Sequence, residues 1–445
     1  MGKLFGTDGI RGVAGRELDC ELSLGVGRAL GSVIERRGSS PTVIIGTDTR
    51  ISSEMIAAAV AAGLSSVGCD VIDIGVCPTP AVAFLVKRRG AAAGVMISAS
   101  HNPYEYNGIK IFGQDGYKLP DDTEEKIENI IFNGQKPALP DNIGRIKKDG
   151  GAIEEYLDYL AAAFPVSLSG MKIAVDCACG SASVTAEELF SRLGAACHMI
   201  GNSPNGVNIN KECGSTSLSA LKEAVLKEGC DVGIAFDGDA DRCIAIDHLG
   251  REVDGDYIMA ILALKLKGEG ALAESALVGT VMTNLGLRKF CEENGISFVA
   301  SAVGDRYVLE LMKKNGYSFG GEQSGHIIFG DIATTGDGQL TALALLSHIK
   351  KSGKSLSTLA TVMKKYPQYT INIAASKEHK ALLGVSSKIK EIIALAEERL
   401  GKTGRILVRA SGTEALIRIM VESADASLAK EIAENTAREI SEIFS

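Results

Sequence analysis

Three aspartates alternate along one short segment, and their spacing favours a metal site. Asp237, Asp239 and Asp241 stand in DGDADR (237–242), so their carboxylates can converge from a single tight loop. Without a cation these groups would repel one another, and hard oxygen ligands select Mg²⁺ or Ca²⁺. An EF-hand needs Gly and Glu where Arg242 and His248 stand, which argues against that Ca²⁺ loop. The segment predicts a Mg²⁺ site with room for a phosphate oxygen, and a solvated acidic hairpin is the alternative.

A serine at the end of a buried strand is the candidate for carrying a phosphoryl group. Ser100 ends the apolar run 92–100, and the Asn-Pro pair at 102–103 forces a turn after it. Parallel sheets bind ligands at the carboxyl ends of their strands, and serine can hold a phosphoryl group covalently. His101 and Lys110 are both candidates for moving a proton or holding phosphate, and the sequence does not choose between them. A plain polar turn is the alternative interpretation.

Two further segments have the hydroxyls and backbone groups that bind a sugar or a phosphate. In GGEQSGH (320–326), Glu322 and Ser324 can exchange hydrogen bonds with hydroxyl groups. In RASGTEALIR (409–418), two arginines flank a turn whose N–H groups can contact an anion. The candidate residues of this second segment are Arg409, Ser411, Gly412, Thr413 and Arg418. For each segment alone, a turn without a ligand is an equally good interpretation.

Short apolar strands and amphipathic helices alternate along most of the chain and must hold these residues. A strand at 41–46 precedes a helix at 53–68, and similar units follow a connecting helix at 153–164. The tail differs, with strands around one long helix over about 383–401. This pattern predicts an α/β protein of three related mixed α/β domains plus a smaller C-terminal α+β domain. The predicted domains are 1–152 (phosphoserine), 153–254 (metal), 255–365 (sugar) and 366–445 (phosphate).

The composition argues against several classes of protein. A net charge of −8 and the absence of Trp do not suit a protein that binds nucleic acid. Apolar stretches such as 55–64 are far shorter than the roughly 20 residues of a membrane span. The ten cysteines are scattered, and the start of the chain has no export signal, which favours reduced thiols. We therefore predict a cytoplasmic protein with a small-molecule partner, no nucleic acid and no membrane.

Several segments, in order along almost the whole chain, resemble those of the α-D-phosphohexomutase family. They are LFGTDGIRG (4–12), GTDTR (46–50), SASHNP (98–103), DGDADR (237–242), GEQSGH (321–326) and SGTE (411–414). The resemblance implies four domains around a central cleft and an intramolecular phosphotransferase. The expected reaction passes through a phosphorylated enzyme and a sugar bisphosphate.

The same resemblance implies a role for each candidate residue. Ser100 is the expected phosphoserine and shares Mg²⁺ with Asp237, Asp239 and Asp241. Glu322 and Ser324 are expected to bind the sugar. Arg242 is expected to lie beside the metal ligands of the acidic loop 237–242, which we call the metal loop. Arg11 and Lys110 are expected near the phosphoserine. The residues expected to hold the non-reacting phosphate are Arg409, Ser411, Gly412, Thr413 and Arg418.

Three other segments are similar to the branch of the family that acts on glucosamine phosphates. They are NINKECGST (208–216), GTVMTNLGL (279–287) and VGDRYVLE (303–310). That branch implies glucosamine 6-phosphate and 1-phosphate as substrates, glucosamine 1,6-bisphosphate as intermediate, and a supply of cell-wall precursors. The alternatives are the same reaction on mannose or glucose phosphates, and a catalytically silent phosphosugar-binding protein.

The sequence also departs from the family pattern and leaves one property open. Ala415 stands where relatives usually have proline, and Cys179 where asparagine is usual. Neither change removes a reacting group. The oligomeric state is not determined by the sequence, and a homodimer is one option.

Overall fold

The structure is a computed structural model that describes residues 4–6, 8–35, 40–134, 140–411 and 415–444. Within these residues the strands form four sheets, of seven, five, four and three strands. By its contacts the chain divides into two compact units, Met1–Met282 with Asn294–Val362, and Thr283–Glu293 with Met363–Ser445. All ten cysteines are free thiols. Among the described helices, none has the length and apolar character that crossing a membrane requires.

The first sheet has seven strands in the order β1-β2-β6-β5-β3-β4-β7. Its elements are β1 (Phe5–Gly6), β2 (Gly9–Val13), α1 (Cys20–Val33), β3 (Thr42–Thr47), α2 (Ser53–Ser65), β4 (Asp70–Val76), α3 (Thr79–Arg89), β5 (Ala93–Ile97), β6 (Tyr106–Gly113), α4 (Asp121–Asn133) and β7 (Ile146–Lys148). Strands β3, β4, β5 and β7 run parallel, and β6 is antiparallel to β5. Every residue of β5 is buried, so the strand that leads to Ser100 is fixed on both faces.

The second sheet has five strands in the order β12-β11-β10-β8-β9. Its elements are α5 (Ala152–Ala163), β8 (Lys172–Asp176), α6 (Ala186–Arg192), β9 (Ala196–Ile200), α7 (Ser219–Glu228), β10 (Val232–Phe236), β11 (Cys243–Asp247) and β12 (Glu252–Val253). Strands β10 and β11 pair antiparallel and are buried throughout. The apolar runs DVGIAF (231–236) and RCIAID (242–247) predict these two strands, which the structure confirms, and the loop between them is held at both ends.

The third sheet has four strands in the order β14-β13-β15-β16. The elements of this region are α8 (Gly255–Gly268), β13 (Ala276–Thr280), α9 (Leu285–Glu293), β14 (Ser297–Ser301), α10 (Asp305–Asn315), β15 (Phe319–Gly321), β16 (Ile327–Phe329), α11 (Gly338–Ser352) and α12 (Leu356–Leu359). Strands β15 and β16 form a short antiparallel pair, and the turn between them carries GEQSGH. By its contacts α9 belongs to the second compact unit.

The second unit contains a three-stranded antiparallel sheet in the order β17-β19-β18. Besides α9, its elements are β17 (Gln368–Ala374), α13 (Lys377–Val385), α14 (Ser387–Leu400), β18 (Gly404–Ala410), β19 (Leu416–Ser423) and α15 (Ala426–Phe444). Buried isoleucines from α14, β19 and α15, including Ile389, Ile419 and Ile432, form its core. The helices pack against the sheet because each presents one apolar face.

The predicted fold class is confirmed: three α/β regions, each with its own sheet, are followed by a small α+β region with a three-stranded sheet. One predicted element is wrong: the single helix over about 383–401 is two helices, α13 and α14. Ser386 separates them, because its backbone is extended and its side chain accepts a hydrogen bond from the N–H of Ile389. A serine in this position begins a new helix more favourably than it continues an old one.

Candidate active site

Ser100 lies in the loop that follows β5, and its hydroxyl points at the acidic loop of the second sheet. The Ser100 Oγ donates a hydrogen bond to Asp237 Oδ2 at 2.6 Å, across 137 residues of sequence. Ser100 is buried and has a left-handed backbone, with φ of 52°. His101 lies beside it, with Nδ1 3.4 Å from the Ser100 Oγ. The fold therefore joins the serine and the first aspartate that the sequence singled out separately.

The loop between β10 and β11 gathers the three aspartates. Carboxylate oxygens of Asp237, Asp239 and Asp241 lie within 4.8 Å of one another, and all three residues are buried. Ala240 has φ of 57°, which turns the chain tightly enough to bring the carboxylates together. Burial and the neighbouring carboxylates of Asp241 and Asp239 raise the pKa of Asp237 well above its usual value.

Two oxygens of this group fit a cation. Asp239 Oδ1 and Asp241 Oδ1 are buried and, among the described residues, accept no hydrogen bond. Buried polar atoms are rarely left unpaired, and carboxylate oxygens are the ligands that Mg²⁺ prefers. The other oxygen of Asp239 accepts hydrogen bonds from Thr79 Oγ1 at 2.5 Å and Lys110 Nζ at 2.7 Å. These donors occupy Oδ2 and leave Oδ1 without a partner among the described residues, and the three carboxylates suit a divalent cation.

Lys110 lies on β6 and is surrounded by acidic side chains. Its Nζ lies 2.7 Å from Asp239 Oδ2, 3.1 Å from Asp8 Oδ2 and 3.4 Å from Asp241 Oδ2. Burial alone would lower the pKa of Lys110, but the carboxylates of Asp239, Asp8 and Asp241 raise it well above its usual value. Lys110 is therefore an ammonium group at neutral pH. It is a buried cation less than 4 Å from two of the predicted metal ligands.

Two arginines add positive charge close to His101. Burial first, and then the charges of Arg242 and Arg11, lower the pKa of His101 to about 4, so its imidazole is neutral at pH 7. Arg242 Nε lies 3.9 Å from both Asp237 Oδ2 and Asp241 Oδ1. Arg11 donates to Asp8 through one nitrogen, and its Nε is buried without a hydrogen-bond partner among the described residues. The structure thus places Arg11 and Arg242 close to His101, the neighbour of Ser100, and Lys110 beside Asp239.

Glu322 and Ser324 occupy the turn between β15 and β16. Glu322 accepts a hydrogen bond from the N–H of Gly304 at 3.0 Å, and Ser324 is exposed. The turn approaches the metal loop closely, because a Cβ on Gly325 would lie 2.3 Å from the carbonyl oxygen of Cys243. Burial alone would lower the pKa of Arg242, but the charges of Asp237 and Asp241, and then of Glu322, raise it. The fold therefore brings this turn to the same region as Arg242.

Besides Asp8, which pairs with Lys110 and Arg11, the sequence reasoning missed His326 and Thr79. His326 is buried, with Nδ1 3.6 Å from Asp241 Oδ1 and Nε2 3.6 Å from Asp305 Oδ2. Burial alone would lower its pKa, but the carboxylates of Asp241 and Asp305 raise it to about 9. His326 ends the GEQSGH segment, so a signal existed. Thr79, which binds Asp239, begins α3 and carried no signal beyond the start of a helix.

The arginines of the C-terminal segment lie in the second unit. Arg409 on β18 and Arg418 on β19 are directly opposite in the sheet. Burial and the neighbouring Arg418 lower the pKa of Arg409, as expected for two adjacent cations that an anion would stabilise. The carbonyl oxygen of Ser411 accepts a hydrogen bond from Lys380 Nζ at 2.7 Å. Gly412 and Thr413 lie outside the described residues.

Cys179 and Ala415, the two departures from the family pattern, both make hydrogen bonds through their backbone carbonyl oxygens. Cys179 has a left-handed backbone, and its carbonyl oxygen accepts a hydrogen bond from Thr49 Oγ1 at 2.6 Å. The carbonyl oxygen of Ala415 accepts one from the N–H of Ala375 at 2.9 Å. Both contacts use the backbone, so they do not depend on the side chain at either position.

Family models and relatives identify where this architecture belongs. Models of the phosphoglucomutase/phosphomannomutase alpha/beta/alpha domains I, II and III match residues 2–138, 154–250 and 254–366, and the C-terminal domain matches 368–439. The phosphoglucosamine mutase of Caldicellulosiruptor saccharolyticus is 52% identical over 442 residues, 98% of both chains. That of Clostridioides difficile is 48% identical over 448 residues, the whole of both chains.

Solved structures share the fold at lower identity. A phosphoglucomutase/phosphomannomutase family protein of Burkholderia thailandensis has a TM-score of 0.83 at 22% identity, covering 98% of this chain and 97% of its own. The Aspergillus fumigatus N-acetylphosphoglucosamine mutase, in complex with GlcNAc-6P and magnesium, has a TM-score of 0.65 at 18% identity, covering 91% and 84%. The resemblance to α-D-phosphohexomutases is confirmed. The chain therefore belongs to the phosphoglucomutase/phosphomannomutase family, together with the phosphoglucosamine mutases that it resembles over its whole length.

Proposed function

We propose that the protein interconverts glucosamine 6-phosphate and glucosamine 1-phosphate through phospho-Ser100 and glucosamine 1,6-bisphosphate. One observation carries the proposal. The Ser100 Oγ lies 2.6 Å from Asp237 Oδ2, beside two buried carboxylate oxygens that accept no hydrogen bond among the described residues. A nucleophile beside a cation-binding group is the arrangement that phosphoryl transfer requires. The named activity of the relatives that are about 50% identical supplies the substrate.

The proposed reaction has two phosphoryl transfers. In the first, the bond between the Ser100 oxygen and phosphorus breaks, and a bond forms from phosphorus to the free hydroxyl of the sugar phosphate. The hydroxyl proton passes to a base of the enzyme, and the Ser100 oxygen keeps the electron pair of the broken bond and takes up a proton, which it gives up again in the second transfer. The resulting bisphosphate turns over, and its other phosphoryl group returns to Ser100. The net result moves the phosphate between the two positions of the sugar and leaves the enzyme phosphorylated.

The charge on the moving phosphoryl group is balanced by fixed cations. Lys110 lies 2.7 Å from Asp239 Oδ2, Arg242 lies 3.9 Å from Asp237 Oδ2, and the charge of Arg11 acts on His101, so these cations are in place before transfer begins. Mg²⁺ bound by Asp237, Asp239, Asp241 and the phosphorylated Ser100 would supply further positive charge beside the leaving oxygen. His101 and Lys110 both remain candidate bases. The imidazole of His101 is neutral and has a free electron pair to accept a proton, but its lowered pKa makes it a weak base, and the ammonium of Lys110 suits phosphate binding.

Recognition of the rest of the substrate is assigned to two segments. We infer that Glu322 and Ser324 bind sugar hydroxyls, since their turn lies beside Arg242. The opposed pair Arg409 and Arg418, with Ser411, Gly412 and Thr413, is assigned to the non-reacting phosphate. The cytoplasmic location, the domain boundaries and a homodimer stay predictions.

Intact mass and activity test the proposal together. The Ser100 peptide of purified protein should carry about 80 Da of phosphate, and Ser100→Ala should abolish turnover while leaving the fold intact. Rates on the 6-phosphates of glucosamine, glucose and mannose, measured side by side, separate the proposed substrate from its rivals. Normal kcat in the Ser100→Ala variant would refute the mechanism. Faster turnover of glucose or mannose phosphate would refute the substrate.

A further inference from the structure

Ser100 has a backbone conformation that serine rarely adopts, and its surroundings must maintain it. Its φ of 52° is left-handed, where a side chain strains the chain. Such strain persists only where neighbouring groups hold the residue in place, and it is common at functional sites. The N–H of Ser100 donates to Ser98 Oγ at 2.9 Å, and Ser98 Oγ donates to Asp48 Oδ2 at 2.7 Å. The peptide on the amino side of the serine is therefore held.

The carbonyl side is held by Arg50, the last residue of the GTDTR segment. Its Nη2 donates to the carbonyl oxygens of Ser100 and Asn102, both at 2.9 Å. Its Nη1 donates to the carbonyl oxygens of Pro103 and Tyr106, and its Nε pairs with Asp48 Oδ2 at 2.7 Å. All five N–H groups of a guanidinium are thereby used. Arg50 is fully buried and binds four carbonyls of one loop, which a lysine cannot do.

Asn210, which belongs to the region of the second sheet, binds the carbonyl oxygens of Ser100 and Asn102 as well. Asn210 Nδ2 donates to the carbonyl oxygen of Ser100 at 2.9 Å and to that of Asn102 at 3.0 Å. Asn210 lies in NINKECGST, between β9 and α7, and also has a left-handed backbone, with φ of 59°. Each of the two carbonyl oxygens thus accepts one bond from Arg50 and one from Asn210. The loop 98–105 between β5 and β6, which we call the serine loop, is therefore held by side chains from both the first and the second sheet regions of one compact unit.

We propose that Arg50 and Asn210 are positioning residues that hold Ser100 in line with the metal loop for phosphoryl transfer. The inference rests on the proposed function, since it concerns the same serine. Neither residue touches the reacting oxygen, so both act through the backbone of the loop. Loss of either should move the Ser100 Oγ relative to Asp237 without removing any group that binds substrate. Transfer is sensitive to such displacement, because the reacting atoms must be aligned to within a fraction of an ångström.

Asn210→Gly is the first test, because glycine accepts the left-handed backbone and removes only the side chain. We expect kcat to fall about 10- to 100-fold, as expected for the loss of two hydrogen bonds that position a reacting group. The KM for sugar phosphate should change less than about twofold, and the melting temperature should change little. Asn210→Asp keeps the shape but replaces the donor with an acceptor, so kcat should fall at least as far. Asn208→Ala is the matched control, because the side-chain hydrogen bonds of Asn208 to described residues stay within its own loop, to Ser203 and Asn205.

A double-mutant comparison tests the shared carbonyls. Arg50→Lys should also lower kcat, and its effect should not add to that of Asn210→Gly, because both side chains bind the same two oxygens. If Arg50→Lys does not fold, the kcat values of Asn210→Gly and Asn210→Asp alone test the inference. Wild-type kcat in both Asn210→Gly and Asn210→Asp would overturn the inference. In that case an active, phosphorylated wild-type enzyme would leave the proposed function standing, whereas an inactive wild type without phosphoserine would refute both.

Discussion

Gly238 lies in the metal loop, at the point where that loop contacts the loop of Ser100. Replacing Gly238 with alanine should therefore displace both loops. A Cβ at this position would lie 2.5 Å from the carbonyl oxygen of Ser100 and 2.9 Å from Asn210 Nδ2. Ordinary contacts to a Cβ begin near 3.4 Å, so the two loops would have to separate by up to about 0.9 Å. The carbonyl cannot yield alone, because Arg50 and Asn210 both hold it.

The expected effect is on catalysis more than on stability. A displacement approaching 1 Å between a nucleophile and its catalytic groups can lower the rate by about 100-fold. Overpacking in a buried contact costs about 1–3 kcal/mol, so the variant should fold with a lower melting temperature. We therefore expect Gly238→Ala to lower kcat by about 10- to 100-fold and to weaken Mg²⁺ binding, since Gly238 lies between two of the aspartates.

Steady-state kinetics and a Mg²⁺ titration, both at matched protein concentration, measure this effect. Gly150→Ala is the control, because a Cβ at Gly150 would have no atom of the described residues within 4 Å. It should leave kcat and Mg²⁺ affinity unchanged. Wild-type kcat and wild-type Mg²⁺ affinity in Gly238→Ala would show that the close approach of the two loops has no part in the reaction.

Three further predictions concern the cation, the distal phosphate and pH. Asp239→Asn should weaken Mg²⁺ binding about 10-fold or more, since it removes a carboxylate charge; an unchanged titration would contradict the assignment. Arg409→Ala should raise the KM for sugar phosphate about 10- to 100-fold with a smaller change in kcat, whereas the exposed Arg399→Ala should not; equal KM values in the two variants would refute the phosphate site. Burial raises the pKa of Asp337 to about 6, so the folded state keeps this proton to higher pH than the unfolded chain, and stability is lost as pH rises from about 4 to 6. Asp337→Asn should therefore become more stable relative to wild type across that range; parallel melting curves at all pH values would show otherwise.

The local chemistry of the site could be read from the chain. The spacing of Asp237, Asp239 and Asp241 confines three carboxylates to one tight turn, whatever the rest of the fold does. The buried run before Ser100 and the strands on both sides of the acidic loop followed from apolar pattern. The break between α13 and α14 at Ser386 could not be predicted in this way, because the apolar pattern continues across Ser386. The hydrogen bond that caps α14 marks the boundary instead.

The relations between distant segments needed the tertiary structure. Ser100 and Asp237 are 137 residues apart, and their 2.6 Å contact exists because the first and second sheets present two loops to each other. The environment of Lys110 was equally hidden, since Asp8 comes from one end of the chain and Asp239 and Asp241 come from the acidic loop, both far from Lys110 in sequence. Sequence pattern reports the interactions of neighbours along the chain, whereas charge state and alignment depend on groups that only packing brings within a few ångströms. Arg50 and Asn210 illustrate the difference, because their partners are backbone carbonyls, which no residue type reveals.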